Sequence, residues 1–153
     1  MSHQVRQLAN VQFTSLEVLR RALPSVHIEA LNTHLVLDEL RKEARYWGGN
    51  TDRCDAVITY ARPLTDQEKQ GHYEIAVKLE SDRINGVATP VYRLYADSNA
   101  GDRKMEEKLG KIAEEYTIQG PIRKRATAMG ALEVKEVSGA PSGYRRIRVT
   151  VPG

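Results

Sequence analysis

Cysteine is almost absent from this 153-residue chain, and the one present, Cys54, has no second thiol with which to form an internal disulfide. That fits a reducing interior. Phenylalanine and tryptophan occur once each, as Phe13 and Trp47, against seven tyrosines. The core must therefore rest on Leu, Val, Ile and Ala, with the tyrosine hydroxyls near the surface or given partners. No apolar run approaches the ~20 residues that span a bilayer. The opening MSHQVRQLAN has no apolar segment of the kind that directs secretion, so a soluble, cytoplasmic protein without membrane contact is expected.

Sequence signatures for chemistry are also scarce. The four histidines (His3, His27, His34, His72) and Cys54 form no H-x-x-x-H or C-x-x-C pair, so no metal is expected, although His27 and His34 could converge. Neither phosphate-binding glycine pattern occurs, and no cofactor is expected. Cys54 has Arg53 beside it to favour a thiolate and Asp55 to oppose it. A small core residue opening a strand is the simpler reading. Glu17, Glu39, Glu43, Asp97, Asp102, Glu114 and Glu115 could supply acid–base pairs, but nothing local in sequence brings two into a sheltered cleft. A non-enzymatic protein is the leading expectation, and an uncharacterised enzyme ranks third.

What the chain does have is patterning. In His72 to Glu80, Tyr73, Ile75, Val77 and Leu79 alternate with His72, Glu74, Ala76, Lys78 and Glu80. That predicts a central strand with Val77 buried and Lys78 facing water. Val5, Ala9, Val11 and Phe13 suggest a first strand, clearest from Ala9 to Phe13. Thr14-Ser15-Leu16-Glu17 reads as a capping box with Thr14 as the cap, opening a short helix that Pro24 ends. Val26 to Ala30 alternates as a second strand. Residues 33–47 combine helical spacing (Leu37, Leu40, Ala44, Trp47) with a β-capable His34 to Leu37, and we read them as strands turning at Gly48-Gly49-Asn50. Cys54 to Tyr60 is a further strand. The polar stretch Ala61 to Gly71 is predicted as a loop, as is SDRINGVATP with its Asn85-Gly86 turn, before a strand over Val91 to Ala96.

Met105, Leu109, Ile112, Ala113 and Tyr116 define one face of an amphipathic helix over about Asp102 to Ile118. Gly120-Pro121 then acts as stop and restart, with a continuation from Ile122 to Met129. The end, LEVKEV-SGAPSG-YRRIRVTV, predicts a hairpin with a basic outer face. The fold expected is a single α+β domain over residues 1–153. It has two layers: a mostly antiparallel sheet with a short N-terminal helix and a long C-terminal helix on one face, and a closing β-hairpin.

Net charge is +3, yet from Gly120 onward seven basic residues stand against two acidic ones. Arg123, Lys124, Arg125, Arg145, Arg146 and Arg148 are thus the candidate binding residues, for an acidic protein surface or for nucleic acid. Nucleic acid ranks second, because only Tyr144 lies beside these arginines to stack on bases. Charge that protects a sheet face from edge pairing would explain the same residues.

The opening MSH, FTSLEVLRRAL, the Arg45-Tyr46-Trp47-Gly48 turn followed by CDAVI, YEIAVKLE, VYRLYADS and LGKIAEEYTIQ occur in an order similar to that of one family. The chain resembles the hypothetical chloroplast reading frame thirty-five proteins, a domain of unknown function with plastid, cyanobacterial, bacterial and phage members. It departs from them in a longer Ala61 to Gly71 loop, in lacking a tryptophan pair after Ala96-Asp97, and in Gly120-Pro121. The resemblance implies no catalytic residues and an adaptor role beside an AAA-type ATPase, in the cytoplasm or in the equivalent interior of a plastid or phage-infected cell. A protein partner, or self-association through a sheet edge, is the expectation it supports.

Overall fold

The β-branched and alternating segments assemble into a main antiparallel sheet and two small ones in the computed structural model, which describes residues 3–5, 12–97, 104–122, 124, 133–137 and 146–150, those of 3–5, 133–137 and 146–150 as backbone only. The strands are β1 (His3–Val5), β2 (His27–Ile28), β3 (Thr33–Asp38), β4 (Glu43–Arg45), β5 (Thr51–Arg53), β6 (Ala56–Tyr60), β7 (Ile75–Ile84), β8 (Val87–Asp97), β9 (Glu133–Val137) and β10 (Arg146–Thr150). Six of them form the main sheet in the order β1-β8-β7-β6-β3-β2, while β4–β5 and β9–β10 are separate two-stranded hairpins. The helices are α1 (Leu16–Ala22), α2 (Asp66–Lys69) and α3 (Met105–Thr117).

The α3 stripe packs as its spacing predicts: Met105, Leu109, Ile112, Ala113 and Tyr116 are all buried, in one cluster with Leu19, Leu23, Leu35, Ile75, Val77 and Leu94. Both α1 and α3 thus lie on one face of the antiparallel sheet, an α+β arrangement. Their link to the N-terminal segment is polar as well as apolar. Phe13 meets the Tyr116 ring edge-on at 4.9 Å, and the Thr14 and Ser15 N–H groups both donate to the Tyr116 hydroxyl at 3.0 Å. Gly120 is a close-approach site more than a helix stop. A Cβ there would come within 3.0 Å of Val18 Cγ1, and the chain continues through a π-helical turn, Ile118–Ile122, that includes Pro121.

Several expectations are corrected. The cap of α1 is Ser15, whose hydroxyl accepts from Val18 N–H, one residue later than the Thr14 box. Phe13 makes a lone bridge to Tyr92 instead of ending a strand, and residues 6–11 of the expected first strand lie outside the described residues. The second strand keeps only His27–Ile28, because a 3-10 turn takes over at Glu29. The Ala61 to Gly71 stretch contains α2, opened by a true capping box between Thr65 and Glu68. SDRINGVATP is ribbon, not loop. Asn85 (φ 52°) and Gly86 (φ 79°) close a two-residue turn, the positive-φ pair that a twisted hairpin requires, so the strands run up to it on both sides. The expected helical continuation from Ile122 to Met129 falls mostly outside the described residues.

The largest correction concerns the second face of the sheet. Glu74 and Ala76, on the parity expected to be wet, are buried, and Leu79, on the core parity, is 49% exposed. Hairpin β4–β5 covers the second face at one end, where Ala44, Tyr46, Val57 and Ala76 form a small cluster. The β7–β8 ribbon continues past that cover into solvent.

Candidate functional site

The second-face cover is held by carboxylates. Glu74 accepts both arms of the Arg41 guanidinium (2.6 and 2.7 Å), the Arg45 N–H (2.9 Å) and the Thr59 hydroxyl (2.6 Å). Burial pushes its carboxyl upward, but the Arg41, Thr59 and Arg45 donors outweigh that, and the net direction is down. Glu74 is therefore ionised with its acceptor positions filled, so it anchors β4 and does not serve as a general acid. Arg45 lies over the Tyr73 ring and donates to the Lys69 and His72 carbonyls. Asp52 on β5 accepts from Lys78 Nζ (2.8 Å) and the Tyr46 hydroxyl (3.1 Å), and Trp47 N–H donates to Asp97. Burial followed by the Asp52 charge pushes the Tyr46 hydroxyl up, and burial pushes the Cys54 thiol up. Neither is activated as a nucleophile.

This anchoring determines where the sheet stays open. β6 pairs with β7 only through Ile75, Ala76 and Val77. The Asp55 N–H donates to the Val77 carbonyl, and the Leu79 N–H donates to the Asp55 carboxylate at 2.7 Å, so this side chain caps the edge where β6 leaves it. Those two bonds show that odd-numbered residues of β7 direct their backbone polar groups away from β8. Ser81 and Arg83 follow with the same parity. The Arg83 N–H is taken up by Asp82 Oδ1, whereas Ser81 is exposed, and among the described residues no strand lies beside it.

The opposite edge of the ribbon is protected. On β8 the Tyr92 N–H donates outward to the Phe13 carbonyl, and Pro90, two residues earlier at an outward position, has no N–H to offer. Across the ribbon, Arg93 pairs with Glu80 (2.8 Å) and Asp82 (3.1 Å), and the Tyr95 hydroxyl bonds Glu80, which raises the tyrosine to about 12. These pairs brace the two strands against each other. Between the side-chain caps at Leu79 and Arg83, the braced edge Leu79 to Ile84 thus presents the Ser81 backbone to solvent.

Of the basic candidates, Lys124 is exposed. Arg146 and Arg148 share one parity on β10, opposite Val137 and Lys135 of β9. Arg123, Arg125 and Arg145 lie outside the described residues, and so does any convergence of the triplet with the hairpin. His27 and His34 do come together, as direct partners across β2 and β3, yet no group of three or more potential metal ligands exists among the described residues. Sequence reasoning missed the Arg41–Glu74 anchor, because period-2 alternation assigns Glu74 to water. It also missed the edge, because Ser81 fell within a predicted loop. Among the described residues, no helix is long and apolar enough to cross a membrane. No protein-family model, curated protein or solved structure matches the chain.

Proposed function

We propose that this protein is a non-enzymatic adaptor that binds a protein partner by strand addition at the outer edge of β7, Leu79 to Ile84. The carrying observation is that this edge is braced from β8, capped at Leu79 and left without a neighbouring strand at Ser81 among the described residues. An added strand would gain backbone hydrogen bonds there, and half-exposed Leu79 offers it an apolar contact. The resemblance to the chloroplast reading frame thirty-five proteins suggests an AAA-type ATPase as that partner. Pairing of two copies through the same edge is the self-associating form of the reading. The test is affinity capture from the source cells with wild-type protein and with Ser81→Pro, which removes the outward N–H without touching the ladder to β8. A partner held by the wild type and lost by the variant is expected. Failure of the wild type to retain any protein, itself included, would remove the reading.

A second reading, nucleic-acid binding, is favoured by Arg148 standing opposite Lys135 with Arg146 on the same parity. Mobility shifts at about 50 and 200 mM salt test it, since phosphate contacts give steep salt dependence. No shift at the lower salt would end it.

A further inference from the structure

On the helix side of the sheet, the first turns of α3 border a cleft of about 140 Å³ lined by His27, His72, Lys104, Lys108 and Lys111 together with Glu29 and Glu107. We propose that this cleft binds a phosphate-class oxyanion, either inorganic phosphate or the phosphoryl group of a small phosphomonoester. The three lysines recur at i, i+4 and i+7, so a single face of α3 carries them all toward one opening.

They differ in role. Lys108 is 3% exposed, with its ammonium 2.9 Å from the Tyr60 hydroxyl and over that ring, so it lines the cleft as a buried, held side chain. Lys104 and Lys111 are exposed, and neither forms an ion pair with Glu29, Glu107 or any other described carboxylate. Ammonium donors spaced along one helix face can address separate oxygens of a tetrahedral oxyanion, whereas a carboxylate offers only two oxygens in one plane. His27 and His72 also line the cleft, so their imidazole signals report on what enters it. Glu29 and Glu107 hold the net charge of the lining low, which favours a ligand with concentrated charge over an extended polyanion. The volume is well below that of drug-sized pockets, roughly 300 Å³ and up, so the recognised group is small.

The test is titration of the full chain with inorganic phosphate, glycerol phosphate and acetate at constant ionic strength, read by thermal denaturation and by the His27 and His72 imidazole resonances. Saturable stabilisation by phosphate or by the ester, with a Kd of about 1 mM or tighter and matching imidazole shifts, is expected. Comparing those two arms separates a free-phosphate site from an ester site. The double variant Lys104→Ala/Lys111→Ala removes only exposed side chains and should keep its fold while losing affinity by about tenfold or more. Absence of a saturable response in the wild type, an equal response to acetate, or an unchanged response in the double variant would each overturn the proposal.

Discussion

At the scale of single residues, the charged groups on the second face of the sheet give the sharpest tests. Glu74→Gln removes an ionised acceptor from Arg41, Arg45 N–H and Thr59 and should cost about 2–3 kcal/mol at neutral pH, measured by denaturant unfolding. The sign with pH follows from the lowered carboxyl. Its contribution is complete above the ordinary value of 4.5 and is lost as pH falls through the folded value. The gap between wild type and Glu74→Gln should therefore narrow on acidification, and a gap that widens would show that Glu74 is protonated in the fold. Glu68, held at about 2 by the Arg62 guanidinium and the Thr65 N–H, loses its own contribution as pH falls from its ordinary value toward 2. On β7, Val77 is fully buried, and Val77→Asp should unfold the protein by stranding a carboxylate in the core. Lys78 is not the freely solvated side chain that alternation predicts. It pairs with Asp52 and lies 4.5 Å from the centre of the Tyr95 ring, so Lys78→Asp should cost about 1–2 kcal/mol through repulsion from Asp52, with Lys78→Met well below that.

At the scale of elements, the segments legible in the sequence are those whose pattern is decided by one dominant face. The stripe on α3 is such a case, whereas in residues 33–47 helical and strand spacing compete, and it is the strand reading that the structure bears out, with Thr33–Asp38 and Glu43–Arg45 both β. Segments with two covered faces, or with an end set by a local side-chain bond, are read less well. Glu74 and Ala76 look wet because the hairpin that covers them lies some thirty residues earlier in the chain. The α1 cap is ambiguous because Thr14 and Ser15 can each accept a hydrogen bond, and Tyr116 takes the Thr14 N–H from outside the local sequence. Ser15→Ala should therefore cost about 1 kcal/mol and Thr14→Ala close to nothing, by thermal denaturation. The helix α2 was hidden by composition, although its Thr65-Asp66-Gln67-Glu68 box is the same signal that placed α1.

At the scale of the whole molecule, strands, helices and the β4–β5 cover meet around β7 and β8, and the Tyr116 hydroxyl ties α3 to a segment about a hundred residues earlier. Tyr116→Phe leaves two part-buried N–H groups without that acceptor and should cost about 1–3 kcal/mol. The ribbon has a kinetic consequence. Its ten ladder pairs are closed by a two-residue turn, so its loop-closure entropy is small, whereas the Tyr116 contact must close most of the chain. We expect the ribbon to be native-like in the folding transition state and the Tyr116 tie to form after it. In stopped-flow measurements Gly86→Ala, forced into a positive φ that costs an L-residue about 1–2 kcal/mol, should then slow folding and leave unfolding nearly unchanged. Tyr116→Phe should do the reverse, hastening unfolding at an unaltered folding rate, so the lifetime of the native state would depend on one hydroxyl outside the hairpin that starts folding, bonded to a segment about a hundred residues before it.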